Sequence, residues 1–187
     1  INHEVGYDIV ELESSGFIIV GFRDFYAESG KDLIIIKTDS EGNELWEKTI
    51  GSPGNYDEIG FSISKSSNKG YLIGLSTNSN GNNWFDPQLI NIDFDGNVIW
   101  NHKYNGSGLE HTRWVATSTK DGGAAIIGTT NYYYDAGNNE DAYLIKVDKN
   151  GKKIWDLAIQ GGKNDWGWSI IETFSEELVL VGSTKSY

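Results

Sequence analysis

The chain contains no cysteine and no methionine. The first absence excludes disulfides and thiolate metal sites, and it leaves the compartment open, since secreted and cytosolic proteins alike do without cysteine. The second, with Ile at position 1, suggests a processed or trimmed piece of a longer product; no signal peptide is visible. Basic charge is scarce. Lys and Arg number 15 against 27 Asp and Glu, for a net charge of -12. Phosphate backbones and anionic membrane surfaces attract the opposite sign, so nucleic acid is not an expected partner. No apolar run reaches the roughly 18 residues of a membrane-spanning helix, so no membrane insertion is expected. Proline occurs only 2 times, and no window carries helical periodicity.

What is present is β-forming and turn-forming. The 187 residues are enough to bury one sizeable core. Hydrophobic residues at 38% and aromatics at 13% exclude a disordered chain, and 23 glycines suggest many tight turns.

Three stretches repeat: "DSEGNELW" at 39–46, "DFDGNVIW" at 93–100 and "DKNGKKIW" at 148–155. Each has Asp, then Gly three later, then Trp seven later: Asp39, Gly42, Trp46; Asp93, Gly96, Trp100; Asp148, Gly151, Trp155. Successive tryptophans lie 54 and 55 residues apart. Gly16, Gly70 and Gly123, each before an apolar run, keep the same step, with Glu177 in that place in a fourth copy. So do Asp32, Asp86 and Asp141, each seven residues before the Asp of the repeated stretch. Three landmarks on one period identify a repeat architecture.

Each unit reads as four short strands; in the second these are "FSISKS", "YLIGLST", "QLINID" and "NVIWNHKY". The joining segments are turn chemistry, in which Asp or Ser opens and Gly takes a positive φ near the end. Four antiparallel strands repeated at about 54 residues predict an all-β chain built of β-propeller blades. The expected units are a blade at 1–50, a blade at 51–104, a blade at 105–160 and a half blade at 161–187. Asp starts each outer hairpin, Gly closes it, and Trp lies on the outermost strand, where its ring can fill the wedge between blades.

The Asp-x-x-Gly-x-x-x-Trp pattern resembles the tryptophan-docking repeat of quinoprotein-like propellers. The fuller unit, with "DGG" before an apolar run, then "YLIKVD" and "GKKIW", looks like a repeat of secreted bacterial and archaeal propellers. The likeness implies a fold and an extracellular or cell-surface location. Its repeated residues are turn and packing residues, so it brings no catalytic residue and no cofactor. Propellers close with four to eight blades, so the expectation is a fragment whose further blades lie in the same longer chain or in another subunit.

Propeller topology sorts the connections onto two faces. Tight hairpin turns go to one, and every long loop goes to the other, where functional residues concentrate. The loops within units carry Phe25 and Tyr26, then Trp84 and Phe85, then Tyr132, Tyr133 and Tyr134, flanked by Asn, Asp and Gly. Such rings suit sugar stacking or a protein hot spot, or they fold back over blade edges. His111, on a loop between units, is a further candidate ligand contact, while His102 alternates with Trp100 and reads as packing. Glu4, Asp57 with Glu58, Glu110 and Asp165 fall near one register, either as a cation-binding ring or as turn caps facing water. Asp93-x-Asp95-Gly96 imitates half a calcium loop, but its sister turns place Glu41 and Asn150 where Asp95 stands, and turn formation explains all three. Asn105-Gly106-Ser107 fits a glycosylation sequon.

The expected function is a noncatalytic binding or scaffolding module that presents its aromatic long-loop face to a glycan or protein. Two alternatives stand beside it. One is a propeller enzyme, either a quinoprotein-like oxidoreductase or a carbohydrate-active hydrolase or lyase. The other is a purely structural repeat of a larger surface assembly.

Overall fold

A computed structural model describes residues 3–24, 30–67, 70–79, 85–104, 114–130, 139–159 and 161–185. Among these there are 14 strands and no helix. The first sheet runs β1 (His3–Glu11), β2 (Phe17–Asp24), β3 (Lys31–Thr38), β4 (Glu44–Ile50). The second runs β5 (Glu58–Ser66), β6 (Gly70–Thr77), β7 (Asp86–Ile92), β8 (Val98–Lys103). The third runs β9 (Val115–Ser118), β10 (Ala124–Thr130), β11 (Asp141–Val147), β12 (Lys153–Ile159). β13 (Asp165–Glu172) and β14 (Leu178–Thr184) make a two-stranded fourth sheet. Every pairing is antiparallel between neighbours in the chain.

Burial explains the two kinds of strand seen in the sequence. β6, β7, β10 and β11 are buried at every position; β6 and β10 are largely apolar, while β7 and β11 also bury Asp86, Gln88, Asn91, Asp141 and Lys146. The outer strands β8 and β12 are largely exposed, with Trp100 the half-buried position of β8 and alternation only in the second half of β12. The reason is face-to-face stacking of successive sheets. Ile18, Val20, Leu33 and Ile35 of the first sheet pack with Ile63, Ile73, Leu75 and Ile90 of the second. Leu72 and Leu89 of the second meet Trp114, Ile126 and Ile145 at the third. Ala125, Ile127 and Leu144 of the third meet Ile170, Leu178 and Leu180 of the fourth. Each fully buried Ile or Leu contributes about 1.5–3 kcal/mol of transfer free energy, so these three seams carry the stack.

The first strands run beside one another from sheet to sheet. Their register breaks between Gly6 and Asp8, between Gly60 and Ser62, and between Gly167 and Ser169. Each break leaves one extra residue, Tyr7, Phe61 or Trp168, as a β-bulge does. The Tyr7 and Phe61 rings meet at 4.8 Å between centroids. Just beyond the bulge a side chain reaches forward to the next sheet. Asp8 Oδ2 accepts the Ile63 N–H at 2.8 Å, and Ser62 Oγ accepts the Ala116 N–H at 2.9 Å. Ser64 Oγ accepts the Ser118 N–H at 3.2 Å.

Candidate functional site

The stack has two chemically different ends. At one end lie the β3–β4, β7–β8 and β11–β12 turns. In the first, Asp39 Oδ1 accepts the N–H groups of Glu41 and Asn43, both at 2.9 Å. Asp93 Oδ1 does the same for Asp95 and Asn97, and Asp148 Oδ1 for Asn150 and Lys152. These donors hold all three carboxyls below the usual carboxylate range, the Asn43 amide foremost for Asp39 and the Asn97 and Lys152 N–H groups foremost for Asp93 and Asp148. Gly42, Gly96 and Gly151 take φ of 87°, 75° and 78°, a left-handed conformation that favours glycine. The Asp93 carboxylate is thus committed to its own turn, and Asp95 is exposed.

Two of these turns are also docking surfaces. A Cβ on Gly96 would lie 2.6 Å from the Trp46 ring, and one on Gly151 would lie 2.9 Å from the Trp100 ring. Each indole therefore lies on the turn glycine of the following sheet. Polar contacts reinforce both joints. Lys48 Nζ donates to Asp95 O at 2.7 Å and to Asn97 Oδ1 at 2.9 Å. At the second joint His102 Nε2 is 3.0 Å from Asn150 O, and Tyr104 Oη donates to Gly151 O at 2.8 Å. The His102 and Trp100 rings lie 5.5 Å apart.

The opposite end carries the long connections, and their bases are fastened to strand ends. Lys31 donates its N–H and its ammonium to Asp57, at 2.9 and 3.1 Å. Asn78 accepts the Asp57 N–H at 2.7 Å and returns its own N–H to Asp57 O at 3.2 Å. The third and fourth sheets repeat the arrangement with other residues. The Trp166 Nε1–H donates to Glu140 Oε2 at 2.5 Å, and the Asp165 N–H donates to Glu140 O at 2.6 Å. The Lys185 ammonium lies 5.0 Å above the Trp166 ring.

Acids cluster at this end, and each described one is engaged or buried. Glu4 shares Arg23 with Glu47, and these hydrogen bonds, that of Glu47 foremost, push the guanidinium pKa further up. Glu58 is buried, with Thr77 Oγ1 donating to it at 3.0 Å and the Ser52 N–H at 3.2 Å. Burial, then the nearby Glu58, raises the Asp32 carboxyl above its ordinary value. Asp165 is buried too, so Glu58 and Asp165 do not face water as turn caps would. Glu110 lies outside the described residues. Among the described residues, no group of three or more His, Asp and Glu is placed to hold a metal ion.

Of the candidate ligand-binding side chains, Phe85 is described; it is half-buried immediately before β7. Phe25, Tyr26, Trp84, Tyr132, Tyr133, Tyr134 and His111 lie outside the described residues, as does the Asn105 sequon. The cross-sheet acceptors Asp8, Ser62 and Ser64 were not among the candidates. Asp8 and Ser62 share a sequence signal, a triplet of Gly, an aromatic, then Asp or Ser, in Gly6-Tyr7-Asp8 and Gly60-Phe61-Ser62, which recurs as Gly167-Trp168-Ser169; Ser64 stands two residues beyond its triplet.

No protein-family model matches this chain, and no curated protein matches it.

Proposed function

We propose that the sheets are blades of a propeller and that the chain is a noncatalytic binding or scaffolding module, extracellular or at the cell surface. Its partner, a glycan or protein, meets the long-loop end. One observation carries this reading: the two ends are used differently. The turn end is occupied by indoles seated on Gly96 and Gly151. At the loop end the connections are anchored at their bases, by Asp57 on Lys31 and by Glu140 on Trp166, which supports a partner site held on a fixed frame. The extracellular location rests on the resemblance to secreted propeller repeats.

The test is binding of a polysaccharide and protein panel to the chain and to its Trp84→Ala and Tyr133→Ala variants. Lost binding with unchanged melting supports the reading. Unfolding of both variants would mean that the rings are core.

One observation bears on the hydrolase alternative. Asp32 and Glu58 interact at the loop end, and one carboxyl of the pair is raised. Yet Glu58 is already hydrogen-bonded to Thr77 and Ser52, which suits a positioning role better than proton transfer. Polysaccharide turnover that Glu58→Gln abolishes would reverse that judgement.

A further inference from the structure

The second and third sheets both have four strands, and a cleft of about 370 Å³ opens between their outer parts. Small-molecule sites run from about 300 to 1,000 Å³, so one ring fits here. The buried floor is Ile145 with the rings of Tyr104 and Tyr143. His102, Lys103, Lys152 and Lys153 stand around it and are exposed. None of the lining residues is acidic, in a chain of net charge -12.

The repeat separates what stacking requires from what it does not. Ile90 and Gly96 at the first joint correspond to Ile145 and Gly151 at the second. The other positions differ. Thr49, Ile50, Gln88, Asn97 and Val98 give way to Lys103, Tyr104, Tyr143, Lys152 and Lys153. The first joint therefore stacks two sheets without these three lysines and two tyrosines. There Lys48 crosses to Asp95 O and Asn97 Oδ1. At the second joint the shorter His102 meets Asn150 O, and Lys152 stands where Asn97 accepts.

We propose that this cleft binds a sugar acid, a hydroxylated ring that carries one carboxylate. Charge sets the carboxylate. Lys153 donates to Asp156 at 3.0 Å, and Lys152 lies near Asp148, so three lysines face two acids. One positive charge is left over, and a monoanion balances it. The Lys103 ammonium donates to the neutral Ser79 hydroxyl, which does not cancel its charge. Rings set the shape. Tyr143, Tyr104 and the His102 ring, backed by Trp100 at 5.5 Å, offer faces on which a sugar ring packs. Polar atoms set the hydroxyls. Tyr143 Oη donates to Asp156 Oδ2 and keeps lone pairs that accept. His102 Nε2 meets a carbonyl and must donate, so Nδ1 of the neutral ring is an acceptor.

The site stands on other residues than the loop-end reading and does not depend on it. The probes are glucuronate and a galacturonate tetrasaccharide, titrated into the whole chain and followed by amide shifts, with glucose as the neutral counterpart. The expected result is saturable one-to-one binding with shifts at residues 143–145 and 151–153. Glucose should bind at least tenfold more weakly. Lys152→Glu should also lose at least tenfold, whereas Lys163→Glu, the same change of net charge at the loop end, should not. Lys152→Gln repeats the test without reversing a charge, should Lys152→Glu lower the melting temperature. Tighter binding of the tetrasaccharide supports the site and assigns it to a polymer; tighter binding of glucuronate supports it and assigns it to the free acid. Equal binding of glucose overturns the proposal, as does equal loss in the Lys152 and Lys163 variants or no binding of either probe. Shifts confined to Asp57, Asn78 and Glu140 would overturn it too, and would leave the loop-end reading standing.

Discussion

The ring of Trp46 lies against Gly96, a residue 50 positions further along, so closely that a Cβ there would come within 2.6 Å. Gly42 occupies the same place in its own turn, with a similar φ, and nothing lies within 4 Å of where its Cβ would be. The pair separates backbone strain from docking. Gly42→Ala is expected to cost about 1–2 kcal/mol, the left-handed penalty alone. Gly96→Ala adds overpacking against the indole, a further ~1–3 kcal/mol. Urea unfolding of the two variants measures the difference, and equal losses would remove Trp46 from the joint.

The tryptophans themselves should rank by what covers them. Trp100→Ala removes a ring seated on Gly151 and is expected to cost about 3 kcal/mol. Trp155→Ala trims a ring that is already 40% exposed and should cost under about 1 kcal/mol. Thermal unfolding of each variant reads the order.

Ser62→Ala should be costly for its size. It removes the Oγ that the buried Ala116 N–H donates to, and a buried donor without an acceptor costs about 1–3 kcal/mol. Ser183→Ala, whose Oγ meets the exposed Trp168 Nε1–H, should be nearly silent. Hydrogen exchange at Ala116 gives a direct reading, because its amide should lose protection in the first variant and not in the second.

Acid should act through Asp121. Burial pushes its carboxyl up, but the Lys146 ammonium at 2.8 Å, with Thr119 and the Gly123 N–H, outweighs it and holds the pKa at about 2. A depressed folded-state pKa contributes stability that is present above the unfolded value near 3.9 and lost as pH falls from there toward about 2. Lys146→Met should raise the Asp121 pKa in a carboxyl-carbon NMR titration and flatten the pH dependence of stability in that window. An unmoved Asp121 would discard the pairing.

Asp32 has the opposite sign. Its carboxyl is raised by burial and then by Glu58, so its charged form opposes folding above its unfolded pKa. Asp32→Asn is therefore expected to stabilise the chain at neutral pH and to make little difference below about pH 4. Denaturant midpoints at the two pH values check both halves.

Local chemistry was legible in the sequence; chemistry between sheets was not. "DSEG", "DFDG" and "DKNG" name their own turns because the Asp side chain bonds backbone donors two and four residues on. Strand character was legible for the same reason, since a fully buried strand such as β6 or β10 needs an apolar run and nothing remote. Asp8 could not be read that way. Its donor, the Ile63 N–H, lies 55 residues on, and the triplet that marks it resembles any aromatic strand until a neighbouring sheet is placed beside it. The raised Asp32 likewise depends on burial and then on Glu58, which reaches it only once the second sheet is stacked on the first. Of the aromatic loop candidates only Phe85 falls among the described residues, and its half-buried setting comes from β7 beginning directly after it.

The joints have a consequence for how such a chain can change in length. Trp46 with Gly96 and Trp100 with Gly151 are the same fitting made twice, each reaching only to the adjacent sheet. Asp8 and Ser62 likewise reach only to the next first strand. A copied stretch spanning residues 51–104 would arrive with a matching socket on one side and a matching plug on the other. Recombination between units can thus lengthen or shorten the array by whole modules that keep the tryptophan-on-glycine fitting, while the polar contacts beside it, Lys48 at one joint and His102 with Tyr104 at the other, change with the neighbour.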